Sequence, residues 1–129
     1  MISGVWSETE PSVDIESVDD LDCFIDYAEA KSERPTAISF EAHGYRADLL
    51  VGHEKSFVHL SPDDPDQRPY FITVSGAVED GLDFWLHSWH HTWMDGRHLV
   101  SKALAREAFR EFFQTGELTS VVGWEQYTA

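Results

Sequence analysis

The chain has 129 residues, of which 42% are hydrophobic and 13% aromatic, a composition typical of one globular domain over residues 1–129. Nine Lys and Arg against 24 Asp and Glu give a formal net charge of −15. That charge disfavours binding to nucleic acid or to an anionic membrane, because both attract cationic surfaces. It favours encounter with a basic partner, although an acidic surface can also serve solubility alone.

The chain carries no recognisable targeting segment. Its N-terminal residues lack the basic start and apolar core of a signal peptide, and no run of about 18 apolar residues is available to span a membrane. The single cysteine, Cys23, leaves no disulfide framework and no thiolate metal cluster. We therefore expect a cytoplasmic protein. Residues 1–10 are compatible with a flexible segment or an edge strand.

A first helix is predicted over residues 17–31. Ser17 is a suitable N-cap, and Asp19 and Asp20 are favourable in the first turn at the positive end of the helix dipole. Apolar residues recur at helical spacing and define one buried face: Val18, Leu21, Phe24, Ile25 and Ala28. Cys23 points away from this face.

Short alternating runs without intervening helices predict an antiparallel meander. The runs are Ala37–Ala42, Arg46–Val51, Ser56–Leu60, Tyr70–Val74 and Leu82–Met94. His43-Gly44 is a plausible hairpin turn between the first two. The segment SPDDPDQRP at 61–69 predicts an exposed loop, because its prolines cannot continue a hydrogen-bonded ladder.

A second helix is predicted over residues 101–114, with Gly116 placed to end it in a left-handed conformation. Half of its circumference is apolar, through Leu104, Ala105, Ala108, Phe109, Phe112 and Phe113, which is typical of a helix packed on a sheet. The predicted fold is therefore α+β, an antiparallel β-meander sheet packed by an N-terminal and a C-terminal helix.

The segment DFWLHSWHHTWMDG at 83–96 is the feature closest to an enzyme site. As one regular strand it places Trp85, His87, Trp89, His91 and Trp93 on one face and His90 on the other. Histidines four residues apart on a strand are about 13 Å apart, which is too far for one zinc ion with Zn–N bonds of about 2 Å. A bulge or turn at Ser88-Trp89 could bring them closer, but no acidic ligand stands at a recognised spacing. A strand half buried by its tryptophans, or an aromatic docking face, fits the pattern better.

Sequence motifs of enzymes are otherwise missing. No GxSxG, HExxH, P-loop or dinucleotide fingerprint occurs, so no catalytic residue, metal or cofactor is predicted. A small metal-dependent enzyme built on His87, His90, His91 and His98 remains an alternative, as does a generic acidic interaction module.

Two long segments resemble a known family. HLVSKALAREAFREFFQTGELTSVVGW at 98–124 and AISFEAHGYRADLLVGHEKSFVHLS at 37–61 are similar to the first immunity-protein family of bacterial polymorphic toxin systems, particularly to members paired with deaminase-superfamily toxins. Glu117-Leu118 departs from the Arg-Pro often found there, and HSWHHTWMDG replaces a region that often contains glycine. The resemblance implies a non-enzymatic antitoxin that binds and occludes a basic toxin domain.

A docking surface can be hypothesised from this mechanism, since an acidic protein competes with nucleic acid for a cationic groove. We expect the surface to include Asp63, Asp64, Asp66, Glu79, Asp80 and Asp83, with Trp89 or Trp93 as an apolar anchor. The sequence does not distinguish a monomer from a dimer.

Overall fold

The computed structural model of the protein describes residues 2–5, 12–75, 80–86 and 90–128. In chain order, these residues form β1 (Ile2–Val5), β2 (Val13–Ile15), α1 (Val18–Lys31), β3 (Thr36–Ala42), β4 (Tyr45–Val51), β5 (Lys55–Ser56), β6 (Val58–Pro62), β7 (Tyr70–Val74), β8 (Leu82–Leu86), β9 (His90–Met94), a 3-10 turn (Gly96–His98), β10 (Val100–Ser101), α2 (Lys102–Thr115) and β11 (Gly123–Tyr127).

Nine of the described strands form one sheet, in the order β11-β7-β6-β4-β3-β1-β2 with the β8–β9 hairpin attached to β3. Strands β3, β4, β6 and β7 pair antiparallel in succession, as the predicted meander requires. Strand β8 instead runs parallel to β3, where Thr36 pairs with Trp85. The remaining two strands, β5 and β10, form a separate short ladder.

The prediction that an N-terminal helix opens the fold is wrong, because β1 and β2 precede α1. The helix itself covers nearly the residues expected, but it follows two strands of the main sheet. Strand β1 pairs with β2 on one side and with β3 on the other. Three or four residues are too few to reveal an alternating pattern, so these strands depend on their neighbours in the sheet.

The two helices begin and end where the sequence indicates. The Ser17 side chain accepts the backbone N–H of Asp20 at 3.1 Å, and the Ser101 side chain accepts that of Leu104 at 3.3 Å. Gly116 ends α2 with a φ of 74°, and its N–H donates to the Phe112 carbonyl at 2.9 Å. Cys23 is exposed, as predicted from its place on α1.

Both helices pack on one face of the sheet and form the main core. The core joins Phe24 of α1 and Phe109 of α2 to the strand residues Ile38, Phe40, Ala47, Leu49, Val58 and Leu60. The opposite face, called the open face here, carries a smaller apolar cluster near the start of β3, formed by Ala37, Leu50, Phe57, Phe84 and Leu99.

The segment predicted as one strand, Leu82–Met94, is a hairpin of β8 and β9. Its buried face carries Phe84, with Leu82 and Met94 packed against the small cluster. Trp85 and Trp93 lie on the other face, where Trp93 is 58% exposed, so these two tryptophans do not bury the segment and the favoured interpretation is wrong for them. Residues 87–89, which include His87 and Trp89, lie outside the described residues.

An arginine joins the two helices. Arg106 of α2 contacts Asp26 Oδ1 at 2.7 Å and Asp22 Oδ1 at 3.2 Å on α1, and Arg110 Nε lies 3.1 Å from the same Asp22 oxygen. The hydrogen bond from Arg106 lowers the pKa of Asp26 below its usual value, with burial acting in the opposite direction and the positive charge adding to the lowering.

This ion pair predicts an acid-sensitive part of the stability. Because the folded-state pKa of Asp26 is lowered, its contribution is present above the unfolded value near 3.8 and is lost as the pH falls through the folded value. Replacing Arg106 with glutamine is expected to lower the free energy of unfolding at pH 7 and to have a smaller effect below about pH 3. Urea denaturation at several pH values measures this difference. Lys102→Gln, which removes a partner 4.0 Å from Glu29, is the matched control, and a pH-independent Arg106→Gln effect contradicts the prediction.

Candidate partner-binding surfaces

The acidic and aromatic residues predicted to bind a partner occupy two separate places. Asp63, Asp64 and Asp66 lie in the loop between β6 and β7, whereas Asp83 lies in β8 and Trp93 in β9, with Asp80 just before β8. Glu79 and Trp89 fall outside the described residues. The predicted set is therefore divided between a loop and a hairpin, and its role in binding stays a prediction.

These two places lie at opposite ends of β3. The backbone N–H of Asp63 donates to the Gly44 carbonyl at 2.9 Å, beside the end of β3 at Ala42. The N–H of Trp85 donates to the Pro35 carbonyl at 2.8 Å, just before β3 begins. Seven extended residues span about 20 Å, so the loop and the hairpin do not form one small patch.

The hairpin presents an outward face formed by Asp83, Trp85, His91 and Trp93, called the hairpin face here. Asp83 pairs with Trp93 across the two strands, and Trp85 pairs with His91. His91 Nε2 lies 2.7 Å from Asp83 Oδ1, and the guanidinium of Arg34 lies 4.7 Å from the Trp85 ring centre. Trp93 is 58% exposed. This face offers one accessible indole and several groups that already have partners.

The histidines proposed for a metal site do not converge in the structure as far as it describes them. His91 contacts Asp83, whereas His98 contacts the Thr73 carbonyl at 3.1 Å through Nδ1. Among the residues with described positions, no three His, Cys, Asp or Glu side chains form a group suited to a metal ion. His87 and the side chain of His90 lie outside that comparison.

The predicted loop at 61–69 begins later than expected, because Ser61 and Pro62 end β6 and pair with Arg46 and Tyr45. The remaining segment, residues 63–69, is called the acid loop here and is exposed from Asp63 to Arg68, as predicted. Its conformation is fixed by short-range hydrogen bonds. The Asp64 side chain accepts the N–H of Asp66 at 3.1 Å, and the Asp64 carbonyl accepts the N–H groups of Gln67 and Arg68. Arg68 then donates to the His43 carbonyl at 3.0 Å, which ties the loop to the β3–β4 turn.

The open face contains a polar cluster that the sequence analysis did not identify. At its centre is Asp48, which is only 5% exposed. The Ser39 hydroxyl donates to Asp48 Oδ1 at 2.5 Å, while Arg46 Nε lies 3.3 Å from that oxygen. His59 Nδ1 lies 3.6 Å from Asp48 Oδ2. A buried carboxylate with three polar neighbours gives this part of the face a fixed geometry.

Three aromatic rings continue the cluster across the sheet, and we call His59, Tyr70 and Tyr127 the tyrosine stack. The Tyr70 and Tyr127 rings are 5.1 Å apart at 18°, and the His59 ring lies 6.1 Å and 6.0 Å from them. The Tyr127 hydroxyl is hydrogen-bonded to His59 Nε2. Tyr127 remains 38% exposed.

The chemistry of the stack is that of a binding surface. Burial raises the pKa of the Tyr127 hydroxyl, with smaller contributions from Tyr70, Glu125 and Asp48. The phenol therefore stays protonated at neutral pH and is not activated as a nucleophile. It supplies a hydrogen-bonding oxygen and an aromatic face.

The sequence contained only part of the signal for this cluster. The alternation in β4 and β6 places Arg46, Asp48, His59 and Ser61 on the face opposite the apolar residues. The pairing of Tyr70 with Tyr127 depends on β11, which was not predicted as a strand.

Comparison with known proteins places the chain in a family. No match was found among curated proteins. No helix within the described ranges has the length and apolar character required to cross a membrane. The family model described as immunity protein Imm1 matches residues 9–126, which is nearly the whole chain. The protein therefore belongs to the Imm1 family of immunity proteins, and its role is that of an immunity protein.

Proposed function

We propose that the protein neutralises a cationic toxin domain that acts on nucleic acid, such as a deaminase, by occupying the groove in which the toxin binds its substrate. The immunity role follows from the family. The class of toxin and the occlusion mechanism are our proposal. The same proposal places the protein in the cytoplasm, where such a toxin meets the nucleic acid of the cell.

The observation that carries this proposal is the net charge of −15. A toxin that binds nucleic acid must present cations to phosphates, so its substrate groove attracts an acidic protein. Opposite charge accelerates the encounter, and a docked domain then excludes the substrate sterically. This mechanism requires neither turnover nor a cofactor, in agreement with the absence of known catalytic motifs from the sequence.

Two surfaces are available for this binding. One is the acid loop with Asp63, Asp64 and Asp66, and the other is the hairpin face with Asp83 and Trp93, next to Asp80. Each combines exposed carboxylates, which complement a basic partner, with nearby aromatic rings, which are enriched at protein interfaces.

Co-expression with the cognate toxin domain, to be sought in the reading frames beside this chain, tests the proposal. We expect restored growth, a copurifying complex, and inhibition of the toxin on its nucleic-acid substrate that competes with added substrate. The association rate should fall steeply between about 50 and 500 mM salt, because screening weakens long-range attraction. Neutralisation without a stable complex, or an association rate that does not depend on salt, contradicts occlusion by an acidic surface.

A further inference from the structure

We infer that the toxin docks on the open face, on a surface formed by the acid loop and the tyrosine stack, and that Lys or Arg side chains of the toxin contact the two tyrosines. This inference rests on the proposed function and specifies which of the two surfaces performs it. We call it the loop–tyrosine surface.

The first argument is proximity. Tyr70 directly follows Pro69, the last residue of the acid loop, and begins β7, where it pairs with Tyr127. The exposed aspartates therefore border the aromatic rings at one end of the sheet. Five neighbouring strands from β3 to β11 give this face a width of about 19 Å, because neighbouring strands are about 4.8 Å apart. An aromatic centre with a charged rim is the usual anatomy of a protein interface.

The second argument is rigidity. The Asp48 carboxylate and the Tyr127 hydroxyl hold the His59 ring from its two nitrogens, and the tyrosines stack on each other. The loop is fixed by its own hydrogen bonds and by Arg68. Side chains that are ordered before binding lose less conformational entropy in the complex, so each contact contributes more to the affinity.

The third argument is the chemistry of the exposed groups. His59 Nδ1 lies 3.6 Å from the Asp48 carboxylate and 3.3 Å from Ser61 Oγ, so we assign its proton to Nδ1, which leaves Nε2 to accept the Tyr127 hydroxyl proton. The Tyr127 oxygen then presents its lone pairs outward as an acceptor. Ammonium and guanidinium groups bind to phenol oxygens and ring faces, and the carboxylates of Asp63 and Asp66 add a second set of acceptors.

The hairpin face is less suited to a basic partner. The cation of Arg34 already lies over the Trp85 ring, and the Asp83 carboxylate is already paired with His91. A toxin cation would have to displace Arg34 from the indole or His91 from the carboxylate. At the loop–tyrosine surface the cations have partners outside the tyrosine stack. Arg46 is paired with the buried Asp48, and Arg68 of the loop donates to the His43 carbonyl and lies 5.8 Å from the Tyr45 ring centre.

The test compares two variants with a matched control, using as the probe the purified cognate toxin domain that the co-expression experiment identifies. The variant Tyr70→Ala/Tyr127→Ala is expected to bind about 30-fold or more weakly, mainly through faster dissociation. The variant Asp63→Lys/Asp66→Lys leaves the loop-forming Asp64 intact and should associate at least tenfold more slowly, with a weaker dependence on salt. Tyr27→Ala, which removes an exposed tyrosine ring of α1, is the matched control and should bind within about threefold of the wild type. Trp93→Ala tests the competing hairpin face, and this inference expects it to change the affinity much less than the tyrosine variant does.

Thermal melts establish whether each variant is folded. If the tyrosine variant does not fold, the loop variant still tests the inference. Wild-type binding with unchanged affinity of both variants overturns this inference and leaves the proposed function intact. A large loss for Trp93→Ala alone also overturns it, in favour of the hairpin face. Failure of the wild type to bind and to rescue growth overturns the proposed function and, with it, this inference.

Discussion

Replacing Phe109 with alanine is expected to lower the free energy of unfolding by about 3–5 kcal/mol. Phe109 has no exposed surface, and its ring centre lies 4.7 Å from that of Phe40, where α2 crosses the sheet. Phe40 also contacts Phe112 and Phe113, so the lost ring leaves a cavity in the centre of an aromatic cluster. Small domains are stable by about 5–15 kcal/mol, so the variant should be close to unfolding.

Urea denaturation followed by tryptophan fluorescence measures this loss. Leu104→Ala is the matched control, because Leu104 lies on the same helix with 39% of its surface exposed and alanine keeps the helix propensity high. We expect that control to cost less than about 1 kcal/mol. If Phe109→Ala costs no more than Leu104→Ala, the aromatic cluster is not the main contact between α2 and the sheet.

The helices could be predicted from the sequence because their signals are local. Ser17 and Ser101 cap the two helices, and Gly116 takes the left-handed conformation that ends the second. Of the six residues predicted for the apolar face of α2, five are buried. The sixth, Leu104, is exposed because it lies at the edge of that face. Caps and helical periodicity depend on residues within a few positions of each other, so they can be recognised from the sequence alone.

The predictions that were wrong concern elements that depend on contacts between residues distant in the sequence. Strand β1 exists because it pairs with β3, at Gly4 opposite Phe40, and no local pattern in Ile2–Val5 indicates this. The β8–β9 hairpin was taken for one β segment, because both of its strands alternate with the same period of two residues. Such elements can be predicted only when the pairing register of the sheet is known.

The candidate surface was likewise predicted only in part. The acid loop was predicted because proline and aspartate disfavour strands. Only its start was wrong, since Ser61 and Pro62 end β6, where Pro62 pairs with Tyr45. The tyrosine stack joins Tyr70 to Tyr127, and these residues become neighbours only when β11 pairs with β7. Sequence analysis therefore identified the charged rim of the proposed docking surface and missed its aromatic centre.

Replacing Asp48 with alanine is expected to lower the free energy of unfolding by about 2–3 kcal/mol, the second largest effect we predict. The substitution leaves the buried Ser39 hydroxyl without its acceptor and removes the carboxylate beside Arg46 and His59. The loss should be below that of a fully buried ion pair, because nearly half of the Arg46 side chain is exposed and can be hydrated.

Two further variants separate charge from packing at this site. Asp48→Asn keeps an acceptor for Ser39 and nearly the same volume, so it should cost about 1 kcal/mol, while Glu41→Ala on the same sheet face should cost less than about 0.5 kcal/mol. Because Asp48 orients His59 and, through it, Tyr127, the asparagine variant should also weaken toxin binding by several-fold while remaining folded. Equal stability of the alanine variant and the wild type contradicts the view that a buried carboxylate organises the open face. A folded asparagine variant with wild-type affinity limits Asp48 to a structural role, since the tyrosine stack then binds without its orienting charge.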